Sequence, residues 1–205
     1  MTFGASSKAL LVFAFRLLVV FGVLALPWPG WHEQWARVLQ AMAASLFTPA
    51  SGPAEVTFEP SPDTGGASDL RVTMVNRDLM NRDGSGPVRH FDVKVNHFEV
   101  IPISLFISLI LATPMPWKRR AWQIPLGILL LQAAILAFLA LCIWRESIEI
   151  LLASASPGTK WLATAVQSAG ANYLHVALPV ILWLVFVFPG SRWREWPAQK
   201  PTRVF

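Results

Sequence analysis

Long apolar runs alternate with polar stretches along the chain, and four of these runs are candidates to cross a membrane. They are residues 9–26, 100–117, 121–144 and 173–189. A spanning helix needs about 20 apolar residues, with a range of about 17 to 25, so the third run is ample and the second and fourth are short. The pattern predicts a membrane all-α bundle of four transmembrane helices, with a small extracytoplasmic β-rich (α+β) subdomain between the first two helices.

The stretch between the first two runs carries two different periodicities. Residues 31–47 repeat with helical period and predict an amphipathic helix, which either lies in the membrane interface or packs on the subdomain. Residues 54–98 alternate between apolar and polar positions in three places bounded by turn residues, which is typical of short strands. The predicted strands are Glu55 to Glu59, Leu70 to Val75 and Val88 to Val95. Three strands with one apolar face predict a small periplasmic sheet.

The remaining segments complete the predicted organisation. Residues 145–172 read as a periplasmic loop with a short amphipathic helix from Thr159 to Ser168, and residues 190–205 as a basic cytoplasmic tail. The first run resembles a signal peptide in its basic start and apolar centre. We favour an uncleaved anchor, because the run ends without a clear small-x-small cleavage site.

The distribution of charge predicts the orientation. Only 14% of the residues are charged, against about 25% in an average soluble domain. Lys118, Arg119 and Arg120 lie together in the short connection between the second and third runs, and such clusters stay in the cytoplasm. With four spans, both termini then lie in the cytoplasm. The predicted localisation is therefore multi-pass, in a bacterial inner membrane.

Composition also limits the chemistry. The net charge of +5 does not indicate nucleic-acid binding, because the basic tail is short and suits an anionic membrane surface better. The single cysteine excludes an intramolecular disulfide and a cysteine-based zinc site. The four histidines lack ligand spacing, and no glycine-rich phosphate loop is evident. The sequence predicts no metal and no cofactor, and it predicts membrane lipid as a partner.

Three residues are candidates for catalysis. Cys142 and Arg145 are three positions apart near the outer end of the third run, and His175 opens the fourth run on the same side. A cysteine nucleophile needs a cation that favours the thiolate and a nearby base, so this set suggests a thiol hydrolase or transpeptidase. The alternative is structural: a small packing residue in Cys142 and an interface anchor in Arg145.

A second group of residues suggests partner binding. Arg16 lies near the middle of the first run, where a central arginine costs roughly 2.5 to 3.5 kcal/mol and is functional by default. Snorkelling to the headgroups is the alternative. Asn76, Arg77 and Asp78 form the first of two Asn-Arg-Asp repeats, which predict either a binding loop or a solvated connector.

The region from Phe91 to Arg120 resembles a known family. The strand-like "FDVKVNHFEV", the helix "IPISLFISLILATP" and the cluster "WKRR" are similar to the exosortase H-associated membrane proteins of Gram-negative bacteria. The similarity covers most of the chain in layout but only these residues in pattern, and it transfers no catalytic motif. Exosortases proper resemble cysteine transpeptidases with more spans than this chain has. The resemblance implies a partner of an exosortase-like protein.

Two lines of interpretation follow. The first is a non-enzymatic accessory subunit of an exosortase-type protein-sorting system, which contacts its partner through the periplasmic subdomain and a transmembrane face. The alternatives are a membrane thiol hydrolase or transpeptidase using Cys142, and a membrane protein that binds a lipid or another small ligand.

Overall fold

The chain folds into a mostly helical structure with one small sheet, which confirms that part of the predicted fold class. The computed structural model describes residues 3–26, 28, 30–48, 53–61, 69–82, 85–152 and 154–187. Its main elements are α1 (Phe3–Ala25), α2 (Trp31–Phe47), β1 (Ala54–Pro60), β2 (Leu70–Asn76), β3 (Val88–Val93), α3 (Ile101–Ala112), α4 (Trp117–Glu149) and α5 (Pro157–Val187). The predicted tail, residues 190–205, lies outside the described residues.

The sheet is antiparallel, with strand order β1-β2-β3. Alternate side chains of β2 are buried, including Leu70, Val72 and Met74, and they pack with α2 and α4. The buried residues of this sheet core are Ala36, Leu39, Ala43, Val56, Phe58, Leu70, Val72, Met74, Val93, Val95, Ile135, Leu139 and Ile150. The two-residue alternation in the sequence thus identifies the buried face correctly.

An ion pair ties β2 to β3. Arg71 donates hydrogen bonds from Nε to Asp92 Oδ1 at 2.9 Å and from Nη2 to Oδ2 at 3.1 Å. The hydroxyl of Ser61 also donates to Asp92 Oδ1, at 3.1 Å. The hydrogen bond from Arg71, with a smaller contribution from Ser61, lowers the pKa of the Asp92 carboxyl.

This lowered pKa predicts an acid-dependent contribution to stability. Because the folded-state pKa of Asp92 lies below its unfolded value of about 3.9, the pair stabilises the fold above that pH and ceases to do so as the pH falls through the folded pKa. We expect Asp92→Asn to lower the unfolding free energy by up to about 1 kcal/mol at pH 7 and by nearly nothing at pH 2. Denaturant unfolding at both pH values measures this. Asp78→Asn, at an exposed site, is the control, and equal losses at both pH values would contradict the assignment.

The turn between α1 and α2 depends on a glycine. Gly30 adopts a left-handed conformation with φ of 76°, which costs a glycine little and other residues more. The indole of Trp28 donates to the carbonyl of Val23 at 2.8 Å and so satisfies one of the free carbonyls at the end of α1. Gly30 thus lies directly before the first turn of α2, where its carbonyl accepts from the N–H of Gln34 at 3.1 Å.

The sheet runs into α3 through a helical turn. β3 ends at Val93, two residues before the predicted end of the strand, and a π-helical turn, Asn96–Val100, leads directly into α3. α3 ends at Ala112 because the next residue precedes Pro114 and is held extended, with ψ of 131°. The predicted second span, residues 100–117, is thus a 12-residue helix preceded by this turn.

α4 belongs to two separate cores. Its 33 residues correspond to a length of about 50 Å, more than a hydrocarbon core of about 30 Å. Leu131 packs with α3 in a helix core whose buried residues are Ile103, Phe106, Ile110 and Leu131. One turn later, Ile135 and Leu139 belong to the sheet core. The boundary between the two cores therefore crosses α4 between Leu131 and Ile135.

Within the described ranges, two helices are long and apolar enough to cross a membrane, Lys8–Ala25 and Trp117–Glu149. α5 is bent by 79° between Pro157–Gly170 and His175–Val187, and it would add a third span if both parts count as one. The predicted short helix, 159–168, and the predicted fourth span are therefore parts of one helical element. The long apolar helices indicate a membrane protein, and the four-span arrangement stays a prediction.

Candidate functional site

A buried polar pair lies where the two cores meet. Glu99, in the π-helical turn, has no solvent-exposed surface, and Gln132, in α4, is 7% exposed. Gln132 follows Leu131 of the helix core and precedes Ile135 of the sheet core by one turn. The turn reaches this position because it connects β3 to α3 and packs against α2, α4 and α5. We call Glu99 and Gln132 the junction pair.

The junction pair is short of hydrogen bonds. Among the described residues, neither carboxyl oxygen of Glu99 and neither amide atom of Gln132 has a partner of good geometry. Gln132 is nevertheless close enough for its amide to act on the Glu99 carboxyl as a donor. The two side chains are therefore near neighbours that do not form a hydrogen bond with each other. A buried polar group without a bond costs about 1–3 kcal/mol, so it calls for a specific explanation.

Aromatic side chains surround the same turn. The rings of His97 and His175 meet edge to face, with centroids 5.8 Å apart, and Phe98 stacks on Phe138 at 5.4 Å. These contacts bring α4 and the bend of α5 against the turn. His97 is exposed whereas Glu99 is fully buried, so the two side chains point to different sides of the turn. π-helical turns are rare and are frequent at functional sites, which makes this region the candidate site.

The structure brings only part of the predicted catalytic set together. Cys142 is buried in α4, one turn before Arg145 and Glu146. Arg145 is itself engaged in an ion pair with Glu146. The ring neighbour of His175 is His97, so the histidine belongs to the surroundings of the π-helical turn. No cluster of three or more potential metal ligands occurs in the part of the chain that the structure describes.

The predicted partner-binding residues have different surroundings. Asn76 is buried; its Nδ2 donates to the carbonyl of Ile150 at 2.9 Å, and its Oδ1 accepts from the backbone N–H of Asp78 at 3.1 Å. Asn76 thus fastens the sheet to the end of α4. Arg77 pairs with Glu55 at 2.9 Å, and Arg77 and Asp78 are exposed on the surface. Arg16 lies elsewhere, on α1 one turn after Phe13, whose ring is 6.0 Å from that of Trp183 in α5.

Glu99 and Gln132 are not among the site residues predicted from the sequence, although the position of each in the sequence is unusual. If the alternation of Phe91, Val93 and Val95 continues, Glu99 falls on the apolar side. Gln132 interrupts an otherwise apolar run. Neither signal shows that the two residues meet, because they are 33 positions apart and the folded chain alone joins them.

The fold and the junction pair define a class: a membrane protein in which a small three-stranded sheet is packed on a long helix that also belongs to a helix core. The comparisons with known proteins add no family to this class. No protein-family model matches the chain, and neither the curated proteins nor the solved structures contain a significant match.

Proposed function

We propose that this chain is a multi-pass inner-membrane protein that serves as a non-enzymatic accessory subunit of an exosortase-type sorting system. Both termini and the basic first turn of α4 lie in the cytoplasm, and the sheet lies in the periplasm. Support comes from the apolar helices α1 and α4 and from the clustered cations Lys118, Arg119 and Arg120. In this orientation Gln132 lies about 22 Å along α4 from its cytoplasmic start, within a hydrocarbon core of about 30 Å.

The outer edge of β1 is closed by side chains. The N–H of Arg77 donates to the carbonyl of Pro53, which identifies this as a hydrogen-bonded pair of the two strands. Because such pairs alternate along an antiparallel ladder, the main-chain groups of Val56 and Phe58 point away from β2. Gln40 of α2 donates to the carbonyl of Phe58 at 2.7 Å, and Thr48 donates to that of Val56 at 3.2 Å. This edge is therefore occupied by the chain itself.

The outer edge of β3 is open. The N–H of Asn76 donates to the carbonyl of Pro87, so these two residues form a hydrogen-bonded pair of β2 and β3. Because hydrogen-bonded pairs alternate along the strand, the main-chain groups of Val88, His90 and Asp92 point away from β2. Within the ranges that the structure describes, no hydrogen bond reaches these groups. This difference between the two edges is the observation that carries the proposal, because an open edge is a template for strand addition.

The open edge suits an extended, acidic segment of a partner protein. Arg89, His90 and Lys94 are exposed along β3 and just after it, which favours an acidic strand beside them. Main-chain hydrogen bonds would supply the affinity, and these side chains would supply the preference. In a sorting system, such a segment would come from the sorting enzyme or from a protein in transit.

Proline substitutions along β3 test the open edge. The N–H of His90 points outward, so we expect His90→Pro to keep the sheet folded and to reduce recovery of the partner about fivefold or more, as for the loss of one hydrogen bond. The N–H of Arg89 faces β2, and we expect Arg89→Pro to disrupt the sheet itself. Recovery is measured by quantitative pull-down from native membranes, and folding by thermal unfolding of each variant.

Two results would contradict the proposed function. One is equal recovery of the same partner by the wild-type protein and by a folded His90→Pro variant. The other is repeated isolation of the wild-type protein as a lone chain after mild solubilisation.

A further inference from the structure

The end of the helix core opposite the junction pair carries a cluster of arginines. The connection between α3 and α4, residues 113–116, lies at this end. Arg120 donates from Nη2 to the carbonyl of Thr113 at 2.8 Å, and its guanidinium lies 5.7 Å from the centre of the Trp117 ring. Arg119 donates from Nη2 to the carbonyl of Phe186 near the end of α5, also at 2.8 Å. Both arginines are thus held in place by the backbone.

Arg16 reaches the same end from α1. The Phe13 ring lies 6.0 Å from that of Trp183, whose indole donates to Thr113 Oγ1 at 2.9 Å. Arg16 is one turn after Phe13 and therefore on the same side of α1. It lies close enough to Arg120 for the two positive charges to repel each other. We call Arg16, Arg119 and Arg120 the arginine cluster.

No carboxylate from the neighbouring helices balances this cluster. In the described residues, α1, α3, α5 and the portion of α4 before Glu146 contain neither aspartate nor glutamate. The Nε atom of Arg120 is buried and has no hydrogen-bond partner in the described part of the chain. Two guanidinium groups close enough to repel each other, with no carboxylate on the described parts of the neighbouring helices, are unfavourable, so the arrangement calls for an anion from outside.

We propose that the arginine cluster binds the phosphate of an anionic phospholipid, between Arg16 and Arg120. Guanidinium groups match phosphate oxygens in charge and in geometry, and basic pockets between membrane helices at the cytoplasmic side bind anionic headgroups. The apolar residues Val19 and Val23 follow Arg16 by one and two turns on the same side of α1, toward the membrane interior. They are 48% and 49% exposed, and they offer a surface for an acyl chain. This surface favours a lipid over soluble phosphate, and it gives Arg16 a role that needs no partner protein.

Lipid retention by the purified protein tests the site. The full chain in mild detergent is mixed with vesicles of equal parts phosphatidylglycerol and phosphatidylcholine, re-purified, and examined by native mass spectrometry. We expect the wild-type protein to retain phosphatidylglycerol preferentially. We expect Arg16→Gln to reduce this preference about fivefold, which is the contribution of one cation at an anionic surface. Arg16→Lys should keep most of the preference.

The matched control is Lys8→Gln, which removes one exposed positive charge from the same helix. We expect it to leave the preference unchanged, and an equal loss in both Gln variants would overturn a specific site. An unchanged preference in Arg16→Gln would overturn it as well. Arg16 makes no hydrogen bond to the described residues, so its replacement should not disturb folding, and equal unfolding temperatures verify this.

Inorganic phosphate separates the two sources of the anion. At matched ionic strength, phosphate should displace the bound lipid no better than chloride does. Displacement by phosphate but not by chloride would overturn the lipid assignment and would indicate a site for a soluble phosphate compound.

Discussion

Replacing Gly127 with alanine will lower the unfolding free energy of the protein by about 1–3 kcal/mol, the usual cost of overfilling a packed core. A Cβ atom at this position would lie 2.0 Å from Cζ and 2.1 Å from Cε1 of Phe106. The Phe106 ring cannot withdraw easily, because it is fully buried and meets the ring of Phe186 edge to face at 6.0 Å. The added methyl group must therefore push α3 and α4 apart.

Gly22 provides the matched control for this substitution. It also lies inside a long apolar helix, but nothing is within 4 Å of a Cβ built at its position. We expect Gly22→Ala to be neutral or to stabilise the protein by up to about 1 kcal/mol, because alanine is the better helix former. Thermal unfolding in one detergent compares the three proteins. Similar unfolding temperatures for the Gly127 variant and the wild type would show that α3 and α4 do not approach this closely.

The strands and the amphipathic helix could be predicted because their signals are local. In β2, the side chains of Leu70, Val72 and Met74 alternate with polar ones, and one buried face is enough to produce this pattern. The helix α2 spans residues 31–47, as its period predicts. Such patterns depend on neighbours a few residues away, so the rest of the fold does not alter them.

Which parts of the apolar helices pack in a protein core and which could face lipid was not predictable in the same way. The second half of α4 reads as a membrane span, yet Ile135 and Leu139 pack on the sheet. Lipid and a protein core favour the same side chains, so hydropathy alone cannot separate them. The short length of α3 was not predictable either. Its ends are determined by the π-helical turn and by Pro114, and not by the length of the apolar run.

The candidate site was only partly visible for a related reason. Sequence spacing places Cys142 and Arg145 on one side of one helix, and both lie in α4 in the structure. It says nothing about where α5 bends, and the bend brings His175 to His97. Contacts between distant segments depend on packing, which one sequence does not display.

Replacing both members of the junction pair by apolar residues will raise the unfolding free energy. In Glu99→Met with Gln132→Leu, two buried polar groups that lack hydrogen bonds in the described residues are removed together. Each such group costs about 1–3 kcal/mol, so we expect a gain of about 2 kcal/mol or more. Gln132→Leu alone should instead destabilise the protein, because it leaves the Glu99 carboxyl in still more apolar surroundings.

Gln123→Leu is the matched control for this test. Gln123 is also fully buried in α4, and its Oε1 has no partner in the described residues, but its Nε2 donates to the carbonyl of Phe186 at 2.9 Å, so it differs from Gln132 in one formed bond. Its replacement removes a formed bond and should cost about 1 kcal/mol. Denaturant unfolding of the single and double variants gives the coupling between Glu99 and Gln132 directly.

The same variants reveal why the pair is present. A pair kept at the expense of stability is expected where function requires it, as at other unsatisfied buried groups. We therefore expect the double variant to be more stable than the wild type and yet to recover less of the partner proposed to bind at β3, because the π-helical turn connects β3 to the helix core. A less stable double variant would show that the two side chains are bonded after all. A more stable double variant with full partner recovery would show that the junction pair is not needed for partner binding, and the edge of β3 would remain the proposed binding surface.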